Sequence, residues 1–599
     1  MQARRLRSQG LRSQGLRSQG LRSQGLRSQG LRSQGCGPSA GETPALPGTP
    51  ACLLVTLLAI HMVSLSVLAA TPTPEPIGFE DVAEQASLDF VLENFCSPKK
   101  YMIEPMTGGI AVFDYNNDGL LDLFFANGAV IPSLKKEDPK YFNRLYRNEG
   151  AMKFKEVTAE AGLQGEGYSM GVAAGDYDND GDVDLFVAGV FRNLLFRNTG
   201  RGKFEEVTTP AGIKSDLWSV AAGWFDYNKD GLLDLFVVNY VEWSPETEPF
   251  CGDRARNIRV YCHPKYYKGV HNQLYKNRGD GTFEDVTKSS GIGDYPGRGM
   301  SVAFEDYDRD GFLDVFVTND NHPNSLFRNR ADGTFEEVGL LSGTALREHG
   351  KPIASMGVDF RDYDNDALPD LVVTALAGET FPVFRNSGKG WFEDKTSATR
   401  MGALSIRLSA WGNGLFDLDN DGWKDLFTAN SHVNDLIEQF EAREYKQPNS
   451  VFLNSRNGAF RDVSAALGPG FQTRRAHRGI GFGDFNQDGK IDVVVTSIED
   501  ATELWKNTGA TANNWIVLRL RGTKSNRDGI GAQVRIGQQY NMMTSAVGYA
   551  SSSHSGVHFG LGNMPKIEKI EIVWPSGIRQ TLRDVPVNQV LEVVEPAAS

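Results

Sequence analysis

The chain has 599 residues, about four times the length that usually marks one domain, so several domains or a repeat array are expected. Hydrophobic residues make up 40% and aromatics 10%, enough for a buried core and too much for a disordered chain. Acidic residues (75) outnumber basic ones (62), giving −13. The first seventy residues hold eight Arg and one Glu, and without that +7 the remainder carries −20. Such a body repels phosphate backbones, which excludes nucleic acid as the main partner, and it attracts cations.

Residues 6–35 are six copies of Leu-Arg-Ser-Gln-Gly, and with the Pro/Gly stretch that follows they make 1–52 a low-complexity basic leader. A misplaced start site reading through a short repeat would produce the same sequence. Residues 53–70 form an uncharged apolar run ending in Ser-Val-Leu-Ala-Ala, and 71–76 are a Pro-rich linker. Apolar run, small residues and linker describe a secretory signal, or an anchor if the run is retained; either places the body outside the cytoplasm, secreted, periplasmic or at the cell surface. Membrane contact is expected only in the anchored case. Beyond the run, Cys251 and Cys262 share one irregular segment and are expected to form a disulfide, leaving Cys96 free.

From residue 77 to 509 one unit recurs. Its most regular part, D-x-[DN]-x-D-G-x-x-D, occurs at Asp114–Asp122, Asp176–Asp184, Asp226–Asp234, Asp306–Asp314, Asp417–Asp425 and Asp484–Asp492; a seventh copy, Asp362–Asp370, has Ala367 in place of Gly. Around each copy four short runs rich in Val, Phe and Tyr follow in fixed order, bounded by turn residues, and read as strands A to D. The first D-type run, Phe79-Glu-Asp-Val82, precedes any acidic loop, while after the last loop a C-type run, Leu504-Trp-Lys-Asn507, has no D partner. The N-terminal run is therefore expected to complete the last sheet and close a seven-bladed β-propeller.

Each acidic loop falls between strands A and B. Side chains at positions 1, 3, 5 and 9, with the carbonyl at position 7, would converge oxygens on one point, and hard oxygen donors in a flexible loop suit Ca²⁺. The expected ligands are Asp114, Asn116, Asp118, Leu120 and Asp122; Asp176, Asp178, Asp180, Asp182 and Asp184; Asp226, Asn228, Asp230, Leu232 and Asp234. The later loops supply Asp306, Asp308, Asp310, Phe312 and Asp314; Asp362, Asp364, Asp366, Leu368 and Asp370; Asp417, Asp419, Asp421, Trp423 and Asp425; and Asp484, Asn486, Asp488, Lys490 and Asp492. Up to seven structural calcium ions would bring the body from −20 to about −6. An EF-hand is excluded, because its bidentate Glu at position 12 is replaced by Phe125, Val187 or Val237 inside a strand.

Long B–C segments, about 127–143, 240–271 and 430–449, should lie on the opposite face, the last with a short helical pattern at 435–445. The six histidines of this region and Arg298, Arg347, Arg407, Arg474, Arg475 and Arg478 are placed in B–C or D–A segments. They suggest a site near the channel mouth for an anionic ligand, with Asn319, Asp320, His322, Asn430 and His432 as its best candidates and Arg298, Arg407 and Arg478 beside them.

Residues 510–599 abandon the repeat for a β-rich module containing Ser-Asn-Arg-Asp-Gly-Ile-Gly-Ala532, His558-Phe-Gly-Leu-Gly562 and Val573-Trp-Pro-Ser-Gly577. The seven loops resemble the FG-GAP/VCBS repeats of integrin-α-like propellers, and this tail resembles the ASPIC/UnbV module. Together, over roughly 77–597, they resemble bacterial members of the cartilage acidic protein 1 family. The resemblance implies an exported calcium-binding propeller with a binding or adhesion role toward a glycan or protein. The alternative is a polysaccharide lyase or hydrolase using His322 or His432 with a nearby Arg.

Overall fold

The structure, a computed structural model, describes residues 76–597 apart from residue 215. The basic leader and the apolar run lie outside the described residues. The described chain is all-β and propeller-like. Sheet one runs Ile110–Phe113, Asp122–Phe125, Arg144–Asn148 and Phe154–Glu156 as an antiparallel meander. Six more meanders follow, with inner strands Tyr168–Gly175, Ser219–Phe225, Gly299–Glu305, Val358–Arg361, Ala410–Phe416 and His477–Gly483. Each inner strand packs beside the next, and the seventh packs beside the first, so the sheets close a ring. The outer strand of sheet seven is Phe79–Asp81, antiparallel to Glu503–Asn507 with Phe79 opposite Asn507. The expected N-terminal closure is present.

The inner strands are small and apolar because they face neighbouring sheets on both sides. Tyr168–Gly175 is buried throughout, and a Cβ on Gly171 would come within 2.3 Å of the Val220 carbonyl. The outer strands bury only their leading phenylalanine, as in Phe204 buried and Glu205 and Glu206 exposed. Adjacent sheets are stitched by asparagines ending the third strands. Asn198 Nδ2 donates to the Tyr115 carbonyl of the preceding sheet at 2.8 Å, and Asn277, Asn329, Asn386, Asn454, Asn507 and Asn148 repeat the bond around the ring.

The C-terminal module is not an appendage. It forms one compact unit with the ring. A three-stranded sheet centred on Asn514–Arg521 and a four-stranded sheet from Gln539–Met542 to Arg579–Val585 share a core, including Ile516, Val534 and Trp574, with Tyr177 and Trp224 of the ring. Its hairpin Ala546–Val547/Ser551–Ser553 adds to the inner edge of sheet one, Ser552 pairing in parallel with Ala111. The hairpin's hydroxyls replace the missing strand partners: Ser551, Ser552 and Ser553 Oγ accept from the amides of Ile110, Ala174 and Phe482, in three different sheets. From the other end, buried Tyr101–Met106 enters the same axial core, where Tyr549 donates to the Met106 carbonyl at 2.6 Å. The axis is a packed core.

Cys251 and Cys262 form the disulfide, beside the small hairpin Cys251–Asp253/Ile258–Val260. Two sequence expectations change. The 435–445 segment holds only a single 3₁₀ turn, Ile437–Gln439, since its one short apolar stretch is too brief for a stable helix. His477 and Arg478 open an inner strand rather than a D–A loop, because both are held in the core: His477 is buried with Nδ1 2.9 Å from the Asn430 carbonyl, and Arg478 makes the contacts described below.

Candidate metal centre

All seven acidic loops connect the first and second strands of their sheets and share one hydrogen-bond scheme, except that in loops four and five the position-5 amide donates to Asp308 or Asp364 and not to the position-1 Oδ1. In loop two, Asp176 Oδ1 accepts from the Asp180 amide at 3.1 Å and Oδ2 from the Gly181 amide at 2.8 Å. At position 5, Asp180 Oδ1 accepts from the Asp182 amide at 2.9 Å. At position 9, Asp184 Oδ2 accepts from the Tyr177 amide and Oδ1 from the Asn198 amide. The fourth residue takes a left-handed φ in every loop, and position 6 follows with a positive φ. Ala367 adopts φ +67 where the other loops have Gly, and still donates its amide to Asp362 Oδ2 at 2.9 Å.

The fourth residues also tie loop to loop. Asn117, Asn179, Asn365, Asn420 and Gln487 donate to the position-6 carbonyl of the next loop, and Arg309 does so to Ala367. Sequence reasoning passed over both these residues and the strand-ending asparagines, although their recurrence at one register is the signal that would have found them.

Positions 1, 3 and 9 converge. In Asp176/Asp178/Asp184, Asp306/Asp308/Asp314, Asp362/Asp364/Asp370 and Asp417/Asp419/Asp425, ligand oxygens all lie within 4.8 Å of one another. The other three loops carry Asn116, Asn228 or Asn486 at position 3, with Asp114 and Asp122, Asp226 and Asp234, or Asp484 and Asp492 at positions 1 and 9. Position-5 carboxylates (Asp118, Asp180, Asp230, Asp310, Asp366, Asp421 and Asp488) fall outside those tight groups and accept the amides of Leu120, Asp182, Leu232, Phe312, Leu368, Trp423 and Lys490. Burial, reinforced by like-charged neighbours, pushes carboxyls at positions 1, 3 and 9 up: Asp122 and Asp176 to about 8, Asp226, Asp306, Asp362, Asp419 and Asp484 to about 6. A cation would reverse that penalty.

The donor set fits a hard cation. Asp306 Oδ1 and Asp362 Oδ1 are buried without a hydrogen-bond partner, each within a three-carboxylate group. Such oxygens are costly to leave unpaired. Loop five differs, because Arg385 reaches into it: Nε lies 2.5 Å from Asp364 Oδ2, and a second nitrogen contacts Asp366.

The proposed ligand-face residues divide. Asn319 is 1% exposed and accepts the Arg298 amide while donating to the Pro323 carbonyl. Asp320 accepts from Tyr240 Oη at 2.7 Å. Asn430 donates to the Pro448 carbonyl and Ser450 Oγ. His432 is 5% exposed, its Nδ1 accepts the Asn434 amide, and burial lowers its pKa to about 4. Arg478 is fully buried, 4.2 Å from the Trp411 ring centroid, and donates to the carbonyls of Pro105 and His477. All of these are engaged inside the fold. His322 and Arg298 are half-buried and Arg407 is exposed.

An FG-GAP-like repeat model matches residues 114–187, 266–317, 306–373, 362–428 and 417–495, just over half of the chain. The chain belongs to the FG-GAP-like repeat family. An ASPIC and UnbV model matches 522–599. Among curated proteins it is similar to cartilage acidic protein 1 of Xenopus tropicalis, 26% identical over 337 residues (53% of this chain, 48% of that protein), and of Homo sapiens, 26% over 336 residues (53% and 47%). The chain spans about half the length of these relatives. Among solved structures, an Agrocybe aegerita lectin recognising non-reducing terminal N-acetylglucosamine aligns over 66% of this chain and 87% of its own, at 15% identity and a TM-score of 0.36, too distant to bear on ligands.

Proposed function

We propose that this chain is an exported, seven-bladed calcium-binding propeller acting as a binding or adhesion module for an extracellular glycan or protein. The FG-GAP repeats and the ASPIC/UnbV module support the extracellular binding-module class, and the Cys251–Cys262 disulfide supports an oxidising compartment. The observation that carries the calcium reading is the pair of partnerless buried oxygens, Asp306 Oδ1 and Asp362 Oδ1, inside carboxylate clusters. Side chains at positions 1, 3 and 9 would hold the ion, with the position-5 carboxylate and position-7 carbonyl as the further oxygen donors of each loop. Bound calcium would supply charge neutralisation. The protein's own residues do the rest: the asparagine latches hold neighbouring sheets in register, and the turn residues link each loop to the next.

Ligand recognition is assigned to the face opposite the loops, where Arg298, His322 and Arg407 remain reachable and suit an anionic group. A glycan and protein array probed with and without calcium tests this. Calcium-dependent retention that is lost in Arg298→Ala/Arg407→Ala supports the assignment. Turnover of an acidic polysaccharide by the wild-type chain, abolished by His322→Ala, would replace it with the lyase reading.

A further inference from the structure

Four cations converge on one cavity of this acidic protein. The cavity, about 280 Å³, lies where loops three and four meet the C-terminal module. Lys229 and Arg309 enter from the ring, each at the fourth position of its loop with φ near +60 (60° and 61°). Arg535 and Arg579 enter from the module, on strands Gln533–Ile536 and Arg579–Val585. Gln533 and Trp574 also line it, and the one carboxylate in the wall, Asp306, already accepts from Gln533 Nε2 at 3.0 Å.

None of the four cations pairs with a carboxylate among the described residues. The Lys229 ammonium lies 5.0 Å from the Phe312 ring centroid, and Arg309 donates to the Ala367 carbonyl. Some exposed cations elsewhere find acidic partners, as Arg197 does with Glu205, Lys214 with Asp285 and Lys566 with Asp584, while others such as Arg407 and Arg583 are exposed singly; what marks this cavity is that four of them meet. With 75 acidic residues in the chain, four unpaired cations around one cavity do not reflect a shortage of carboxylates. Guanidinium forks without a carboxylate partner present paired donors that match the planar face of an oxyanion.

We propose that this cavity binds a compact oxyanion, a sulfate or the carboxylate of a small acidic molecule, held jointly by the ring and the module. The volume lies just below the range of about 300–1,000 Å³ typical of drug-sized ligands, which suits an ion or a single acidic sugar unit. The site is separate from the face assigned above to glycan or protein recognition, and the ligand would cross-link ring and module at the seam.

The test uses the full chain saturated with calcium, titrated calorimetrically with sodium sulfate and with sodium glucuronate at constant ionic strength set by chloride. Saturable binding of at least one anion is expected, and which one binds separates an inorganic ion from an organic acid. In Arg535→Ala/Arg579→Ala, both side chains being exposed, binding should weaken at least about tenfold, since two charge-assisted contacts are removed. Arg583→Ala, an exposed module arginine outside the cavity, should bind like wild type. Absence of saturable binding for both anions, or equal affinity in the double variant, would overturn the proposal.

Discussion

The asparagine latches offer a direct measure of how the ring is held together. Asn329 is 1% exposed and makes three side-chain hydrogen bonds: Nδ2 donates to the Tyr227 carbonyl of sheet three at 2.8 Å and to the Leu313 carbonyl at 3.3 Å, and Oδ1 accepts from the Ala331 amide at 3.0 Å. Each such bond contributes about 1 kcal/mol net, and removing one partner leaves the other buried and unpaired. Asn329→Ala should therefore cost about 3 kcal/mol. Its neighbour on the strand, Arg328, makes an exposed ion pair with Glu336 at 3.3 Å, so Arg328→Ala should cost no more than about 1 kcal/mol. Urea unfolding in saturating calcium measures both, and the denaturant slope should not change. If Asn329→Ala unfolds within about 0.5 kcal/mol of wild type, the latches are not what joins the sheets.

Three further outcomes follow from individual side chains. Ala367 sits at φ +67, and Ala367→Gly should raise stability by about 1 kcal/mol, read as a higher urea midpoint. Arg385 occupies part of loop five through Asp364 and Asp366, so Arg385→Gln should raise the number of calcium ions bound or tighten the weakest site, measured by calorimetric titration. His432 is held near a pKa of about 4, below the ordinary 6.5, first by burial and then by Arg443. The folded state resists its protonation, so this stability is fully present above pH 6.5 and is lost as pH falls through 4. The loss amounts to about 3 kcal/mol, and His432→Gln should flatten that part of the pH–stability curve; an unchanged curve would place His432 outside the acid response.

What could be read from the sequence is local. The acidic loops, the four-strand order and the closing strand Phe79–Asp81 are written in short runs whose turn residues and alternation survive without tertiary context. The hairpin at 546–553 is the opposite case. Its Ser551-Ser-Ser553 run looks like exposed turn sequence, yet each hydroxyl is buried against an inner-strand amide more than seventy residues away. Arg478 misleads for the same reason: an arginine near a strand start reads as surface, while here the Pro105 carbonyl and the Trp411 ring, both from distant segments, offset its desolvation. Polar groups satisfied by non-local partners leave no periodic trace, and the packed axis was hidden with them.

On the proposed function, the clustered carboxylates are calcium ligands whose occupancy holds the ring. Melting the calcium-stripped chain with and without added calcium tests it most directly, because each ion bound only by the folded state at a hundred times its dissociation constant adds about 2.7 kcal/mol. A large calcium-dependent rise in melting temperature is expected, reversed by EGTA and reduced in Asp306→Asn/Asp308→Asn. A melting curve that neither calcium nor EGTA moves would contradict it.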